Sequence, residues 1–370
     1  MDIDKIRVGI THGDINGVGY EIVLKAFAHS PFKGEEGLSD MCIPILFGSQ
    51  KVAAYYRKLL DLDANFVVTP SAAEAVGGRL NLVPCFDDEV KMDPGLATDE
   101  GGRAAYLSIE KAMESYRKGE IDVLVTCPIN KKNILGDDFP FIGHTDYLEH
   151  ETGGDAEALM ILMNDVMKVA LVTTHVAVKD VAQNLSKEKI ERKIELFHHS
   201  LRDDFTISIP RIAVLSLNPH CGDEGVIGSE EQELIIPAIE AMRNKGYQCF
   251  GPYAADGFFG AGLYKHFDGV LAMYHDQGLA PFKALSMNDG INYTAGLPIV
   301  RTSPDHGVAY DIAGKGKADE NSFRQAIYTA IDIWRNRKIL KEVSAHPLKI
   351  VSPERDSKSY SQRNNHPDIE

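Results

Sequence analysis

Short apolar runs rich in β-branched residues recur through this chain, and stretches of helical periodicity separate them. Ile6-Arg-Val-Gly-Ile10, Pro44-Ile-Leu-Phe47, Val123-Leu-Val-Thr126, Val169-Ala-Leu-Val-Thr173, Ile212-Ala-Val-Leu-Ser-Leu217 and Gly269-Val-Leu-Ala-Met273 read as strands. Ala105, Ile109, Ala112, Met113 and Tyr116 share one helical face, which Gly119 ends. Ser229-Glu-Glu-Gln232 reads as a capping box before a stripe of Leu234, Ile235, Ile239 and Met242, with Pro237 interrupting it. Phe323, Ala326, Ile327, Ala330, Ile331 and Trp334 form the cleanest amphipathic stripe. Strands that alternate with helices pair in parallel through crossovers, so an α/β fold with a largely parallel sheet is expected.

Lys and Arg total 39 against 54 Asp and Glu, a net charge of −15. Such a field repels nucleic acid and acidic membrane surfaces. No apolar run approaches the ~18 residues of a membrane span. The first residues are charged, unlike a signal peptide, so a cytoplasmic protein is expected. The five cysteines have no C-x-x-C spacing and read as reduced thiols.

Three of the strand runs deliver a histidine just past their carboxyl ends: Thr174-His175, Asn218-Pro219-His220 and Tyr274-His275-Asp276. Ligands of open parallel sheets bind at that edge, because the loops diverge there. Imidazoles converging there suit a divalent metal with open positions, although each alone reads as a satisfied loop histidine. Asp276 and Asp256 read either as orienting groups or a general base, or as exposed loop acids.

Gly13-Asp-Ile-Asn-Gly17-Val-Gly19 is neither G-x-G-x-x-G nor a Walker loop and reads as a tight strand-to-helix turn. Lys283, Asn292 and Arg301 follow the third histidine strand and form a candidate phosphate anchor. The glycine-rich stretch 305–319, with Asp305, Gly307, Gly314, Gly316 and Asp319, is a loop whose backbone can follow a nucleotide.

Gly9-Ile-Thr-His-Gly-Asp14, Gly143-His-Thr-Asp146, Thr173-Thr-His175, Leu217-Asn-Pro-His220, Tyr274-His-Asp-Gln-Gly278 and Gly296-Leu-Pro with Arg301-Thr-Ser together resemble the 4-hydroxythreonine-4-phosphate dehydrogenase family of vitamin B6 biosynthesis. The resemblance runs from about residue 5 to 340. Loop 305–319 also resembles the cofactor loop of isocitrate and isopropylmalate dehydrogenases. It implies two α/β/α domains, 1–130 plus 285–346 and 131–284, with the active site in the cleft between them. Residues 347–370 form a polar tail outside the family core.

The resemblance further implies a homodimer whose active site is completed across the interface. His175, His220 and His275 would bind zinc, magnesium or cobalt, and His144, Thr145, Lys283, Asn292 and Arg301 would bind a small phosphorylated hydroxy-amino acid. Asp256 and Lys283 are the candidate catalytic groups, and NAD or NADP the oxidant. The expected reaction oxidises 4-phosphohydroxy-L-threonine to a β-keto acid that decarboxylates. The first loop lacks two prolines usual in the family, and Asp146 stands where glutamate is commoner. Siblings that oxidise D-threonate or D-erythronate 4-phosphate supply the alternative substrate. A metal-dependent phosphohydrolase using the same histidines would release phosphate without reducing a cofactor, and a scaffold would need none of these residues.

Overall fold

The computed structural model describes residues 5–28, 37–86, 89–136, 139–154, 156–286 and 288–345, so the polar tail lies outside the described residues. Twelve strands join in one sheet. In chain order they are β1 (Arg7–Thr11), β2 (Ile43–Gly48), β3 (Phe66–Val68), β4 (Leu80–Pro84), β5 (Val123–Thr126) and β6 (Leu159–Met163). The others are β7 (Lys168–Leu171), β8 (Arg211–Leu215), β9 (Gln248–Tyr253), β10 (Gly269–Ala272), β11 (Ile291–Ala295) and β12 (Val300–Pro304). Their spatial order is β3-β4-β2-β1-β5-β12-β11-β6-β7-β10-β8-β9.

The sheet is parallel except where β11 pairs with β12 and β6, and β6 with β7. Those three antiparallel pairings join a parallel set β3-β4-β2-β1-β5-β12 to a second parallel set β7-β10-β8-β9. Both sets belong to one hydrogen-bonded sheet, in keeping with the expected α/β fold. Each expected strand forms, with ends shifted by no more than two residues, the usual uncertainty of strand boundaries.

Helices cover the sheet with the anticipated faces. In the helix Asp99–Arg117, Ala105, Ile109, Ala112 and Met113 are buried, and Thr98 caps it by accepting from the Gly101 N–H at 3.0 Å. In the helix Asn321–Ser344, Phe323, Ala326, Ile327, Ala330 and Ile331 are buried. The capping box at Ser229 does not form. A wide π-type turn, Glu231–Ile235, leads into the helix Ile236–Asn244, where Pro237 occupies the first turn. Glu230 is already helical at φ −60° and ψ −30° and caps nothing with its side chain, and Ser229 accepts from the Glu233 N–H through its carbonyl.

Gly13 turns the chain out of β1 with φ +70°, and a Cβ there would strike the Pro128 carbonyl. The expected tight turn is therefore present. All five cysteines are free, and Cys42, Cys127 and Cys249 are buried. Among the described residues no helix is long and apolar enough to cross a membrane.

Candidate active site

β7, β10 and β8 are neighbouring parallel strands, so the segments carrying His175, His275 and His220 leave the sheet side by side. Side chains tie these ends together. The Thr173 hydroxyl donates to the Met273 carbonyl at 2.8 Å. Gln277 accepts from the Met273 N–H at 2.7 Å and donates to the Ser216 carbonyl at 2.6 Å, linking β10 to β8. Fully buried Glu231 accepts from the Leu217 and Asn218 N–H groups at 2.8 and 2.7 Å. It thereby anchors a run in which His220, Cys221, Asp223 and Glu224 all have positive φ. Non-glycine residues resist that conformation, so the loop depends on its anchor.

His175 and His275 line one cavity of about 270 Å³, with Tyr274 and Asp276. Asp276 Oδ1 lies 2.7 Å from His275 Nδ1 and orients the ring. His220 is exposed and lines the next cavity, with Asp256 and the shared Tyr274. Imidazoles are apt donors for a divalent cation. Among the described residues, however, no three His, Cys, Asp or Glu side chains come close enough to hold a metal. One chain brings two of the three expected imidazoles to a common cavity and leaves the third, together with Asp256, in its neighbour.

The sharpest electrostatic feature stands on β12. Arg301 is buried, and Nε and Nη2 donate to Thr126 Oγ1 at 3.0 and 2.7 Å while Nη1 donates to Thr294 Oγ1 at 3.1 Å. Every acceptor is a neutral hydroxyl. Burial lowers its pKa to about 10, so it remains a cation at neutral pH. A buried cation without a carboxylate carries an unbalanced charge that an anion would satisfy.

His144, at the first turn of the helix His144–Thr152, is buried near this guanidinium. Burial, then the positive charges of Arg301 and Lys131, hold it well below the usual imidazole range, so it is neutral at pH 7. Its Nε2 and the Oδ1 of Asn292 are buried without partners. Asn292 and Thr294 lie on one face of β11, and Thr294 pairs with Arg301. Thr145 and Asp146 share a cavity of about 280 Å³ with His175. Lys131 Nζ stands 2.9 Å from His175 Nε2. His175 in turn lies below its ordinary value through burial, Lys131 and His275, with Asp146 opposing them.

Loop 305–319 frames a further cavity of about 410 Å³, lined by Asp305, His306, Lys317 and Asp319 and floored by Val18, Ala309 and Ile312. Gly314 and Gly316 adopt φ +70° and shape the loop without lining the cavity, and neither does Gly307. Lys283 belongs here. Its Nζ lies 3.2 Å from Asp305 Oδ1, apart from Arg301, the residue the sequence grouped it with. Burial raises Asp305, while Lys283, His306 and His275 oppose that shift.

Thr126, Thr294 and Lys131 escaped the sequence reading. A pair of lysines at 131 and 132, shortly after the strand Val123–Thr126 of so acidic a chain, was the available signal for Lys131. Nothing in the sequence marks Thr126 or Thr294 as partners of Arg301.

The family model described as "Pyridoxal phosphate biosynthetic protein PdxA" matches residues 40–330. The chain is 57% identical over 349 residues, 94% of each chain, to a 4-hydroxythreonine-4-phosphate dehydrogenase of Bacteroides thetaiotaomicron. It is 36% identical to a D-threonate 4-phosphate dehydrogenase of Cupriavidus necator, covering 89% of this chain and 98% of that one. The crystal structure of 4-hydroxythreonine-4-phosphate dehydrogenase from Klebsiella pneumoniae superposes with a TM-score of 0.76 at 33% identity, over 90% of this chain and 98% of that one. With a family match across most of its length and relatives similar nearly end to end, the chain belongs to the pyridoxal phosphate biosynthetic protein PdxA family.

Proposed function

We propose that the protein oxidises 4-phosphohydroxy-L-threonine at C3 with NAD or NADP, giving 2-amino-3-oxo-4-phosphooxybutanoate, which loses carbon dioxide to form 3-amino-2-oxopropyl phosphate. The observation that carries this reading is Arg301, a buried guanidinium with only hydroxyl partners, beside the orphaned His144 Nε2 and Asn292 Oδ1. Such a constellation suits a small phosphorylated amino acid whose anionic oxygens accept from guanidinium and imidazole and whose ammonium or hydroxyl donates to Asn292 Oδ1. The name of the Bacteroides relative, 4-hydroxythreonine-4-phosphate dehydrogenase, supports the same substrate.

In this reading Arg301, His144, Thr145 and Asn292 grip the phosphate and carboxylate. Asp305 and Asp319 of loop 305–319, whose glycines shape the loop, would hold the dinucleotide, which would supply the hydride acceptor for C3. The hydroxyl proton passes to a base, for which Asp256 is the candidate. Lys283, already ion-paired with Asp305, suits an anion contact better than proton removal. The resulting ketone is β to the carboxylate, so the carboxylate leaves as carbon dioxide and its electron pair is delocalised as an enolate.

His220 and Asp256 line a different cavity from His175 and His275, and a homodimer that completes each site belongs to this reading. The domain division 1–130 with 285–346 and 131–284 belongs to this reading. So does a divalent cation (zinc, magnesium or cobalt) on His175, His220 and His275. Among the described residues one chain does not close that ligand set.

The test is absorbance of the reduced nicotinamide with 4-phosphohydroxythreonine, before and after metal stripping and restoration. Cofactor reduction with matching carbon dioxide release is expected. Reduction with D-threonate 4-phosphate alone, or phosphate release without reduction, overturns the assignment.

A further inference from the structure

The first strand-to-helix turn, the tight turn expected from sequence, holds the loop that frames the proposed cofactor cavity. Val18 donates its N–H to the Val308 carbonyl at 3.1 Å. Fully buried Glu21 accepts from the Ala318 N–H at 2.9 Å. Lys25, paired to Glu21 at 2.9 Å, donates to the carbonyls of Gly316 and Ala318 at 3.0 and 2.6 Å. These contacts hold the two arms of the loop.

Its middle is held by one side chain. The Tyr310 hydroxyl donates to Asp14 Oδ2 at 2.7 Å and accepts from Asn130 Nδ2 at 3.1 Å. Asp14 is itself buried and fixed, since its carboxylate also accepts from the Asn16 N–H and from Asn133 Nδ2, each at 2.8 Å. Burial and the Asp14 charge raise the phenol, so it stays a donor at any working pH. The adjacent Ala309 and Ile312 form part of the cavity wall, so the position of Tyr310 sets the shape of that wall. Asn130 directly precedes Lys131, which stands 2.9 Å from His175. One hydroxyl therefore joins the cofactor cavity to the segment facing the histidines.

We propose that Tyr310 is a positioning residue for the dinucleotide, its hydroxyl locking loop 305–319 between Asp14 and Asn130 in the shape that binds cofactor. The proposal rests on the reading of that loop as the cofactor site. An ordered loop spares the ligand the cost of ordering it, so loosening the lock weakens binding without touching the anion receptor at Arg301.

The test is fluorescence titration of the purified full-length protein with NADH and NADPH, alongside steady-state kinetics. Tyr310→Phe is expected to raise the dinucleotide Kd about tenfold, the weight of a hydrogen bond to a charged group. KM for the phosphorylated substrate and the melting temperature should stay close to wild type. Asp14→Asn should weaken dinucleotide binding similarly, and the double variant should lose little more than either single change, because the two act through one contact. An unchanged Kd in Tyr310→Phe overturns the proposal and leaves the cofactor reading intact. So does an equal loss of affinity for both ligands in step with a fall in melting temperature. Wild-type protein that binds neither dinucleotide overturns the cofactor reading and this proposal with it.

Discussion

Thr126 accepts two hydrogen bonds from Arg301, from Nε at 3.0 Å and from Nη2 at 2.7 Å, and both residues are buried. The hydroxyl turns the guanidinium without neutralising it, so the full positive charge remains for a ligand. Thr126→Val keeps the shape and removes the acceptor. A hydrogen bond to a charged group contributes about 1.5–3 kcal/mol, so KM for the phosphorylated substrate should rise about tenfold or more. KM for the dinucleotide should hold, and Thr126→Ser should restore most of the loss. A Val variant with wild-type KM would show that Arg301 needs no such partner.

The His220 loop should fail when Glu231 is removed. Its carboxylate also accepts from Asn218 Nδ2 at 2.9 Å, so Glu231→Ala strands three donors in or near the core. Leaving buried donors unpaired costs about 1–3 kcal/mol for each fully buried group. The expected result is a lower melting temperature and new proteolytic cleavage around residues 217–226. Glu231→Gln, which keeps one carbonyl oxygen for the two backbone donors, should fall between Ala and wild type. An Ala variant as protease-resistant as wild type would refute the anchor.

How much of this was legible in the sequence depends on the range of the interaction. Apolar runs and helical stripes report burial by neighbours a few residues away, and every expected strand and both principal helix stripes formed as read. The three histidine strands lie side by side, so their carboxyl ends share one edge of the sheet, as the position of the histidines suggested. Cavity membership was not legible. His220 and His275 follow adjacent strands, yet the left-handed run after Pro219 carries His220 into another cavity, and no local pattern encodes that run. Likewise Lys283 and Arg301 seemed one anchor by proximity in sequence, whereas the helix His275–Ser286 delivers Lys283 to Asp305. The Ser229 capping box failed because the chain is already helical at Glu230 and widens into a π-type turn, a geometry the Ser-x-x-Gln spacing does not encode.

Acid should destabilise the protein through His12. This imidazole is fully buried, stacked on Tyr20 at 4.9 Å and edge-on to Phe86 at 5.4 Å. Burial lowers its pKa from 6.5 to about 3, with the backbone at Gly13 and Ala104 opposing. Between those values the unfolded chain takes up a proton that the fold refuses. The contribution is therefore complete above the unfolded pKa and declines as pH falls towards the folded one, by about 1.4 kcal/mol per unit, or roughly 2 kcal/mol at about pH 5. His12→Phe removes this proton uptake. Thermal melts at about pH 7.5 and about pH 5 should show a smaller acid-induced drop for His12→Phe than for wild type. Equal drops would mean that the buried ring titrates normally.

Asp204 joins three elements that are distant in sequence, and its loss should be the most damaging of these changes. It follows the helix Lys187–Asp203 and is buried. Ser200 and Tyr293 hydroxyls donate to its Oδ2 at 2.8 and 2.6 Å, and Arg337 Nε donates to its Oδ1 at 2.6 Å. Arg337 also donates to the Tyr293 hydroxyl at 2.9 Å and to the Leu297 carbonyl at 3.0 Å. The cluster thus ties the region of residues 187–204 to β11 and to the final helix. Removing one member of a largely buried pair leaves the other charge uncompensated, at a cost of about 3–5 kcal/mol. Arg337 keeps a partly exposed edge, so the lower end of that range applies to Asp204→Ala. Asp204→Asn retains an oxygen for the hydroxyl donors and should lose less. In chemical denaturation the Asp204→Ala and Arg337→Ala changes should combine sub-additively, since either one already dissolves the pair. Strict additivity would show that the two side chains stabilise the fold independently.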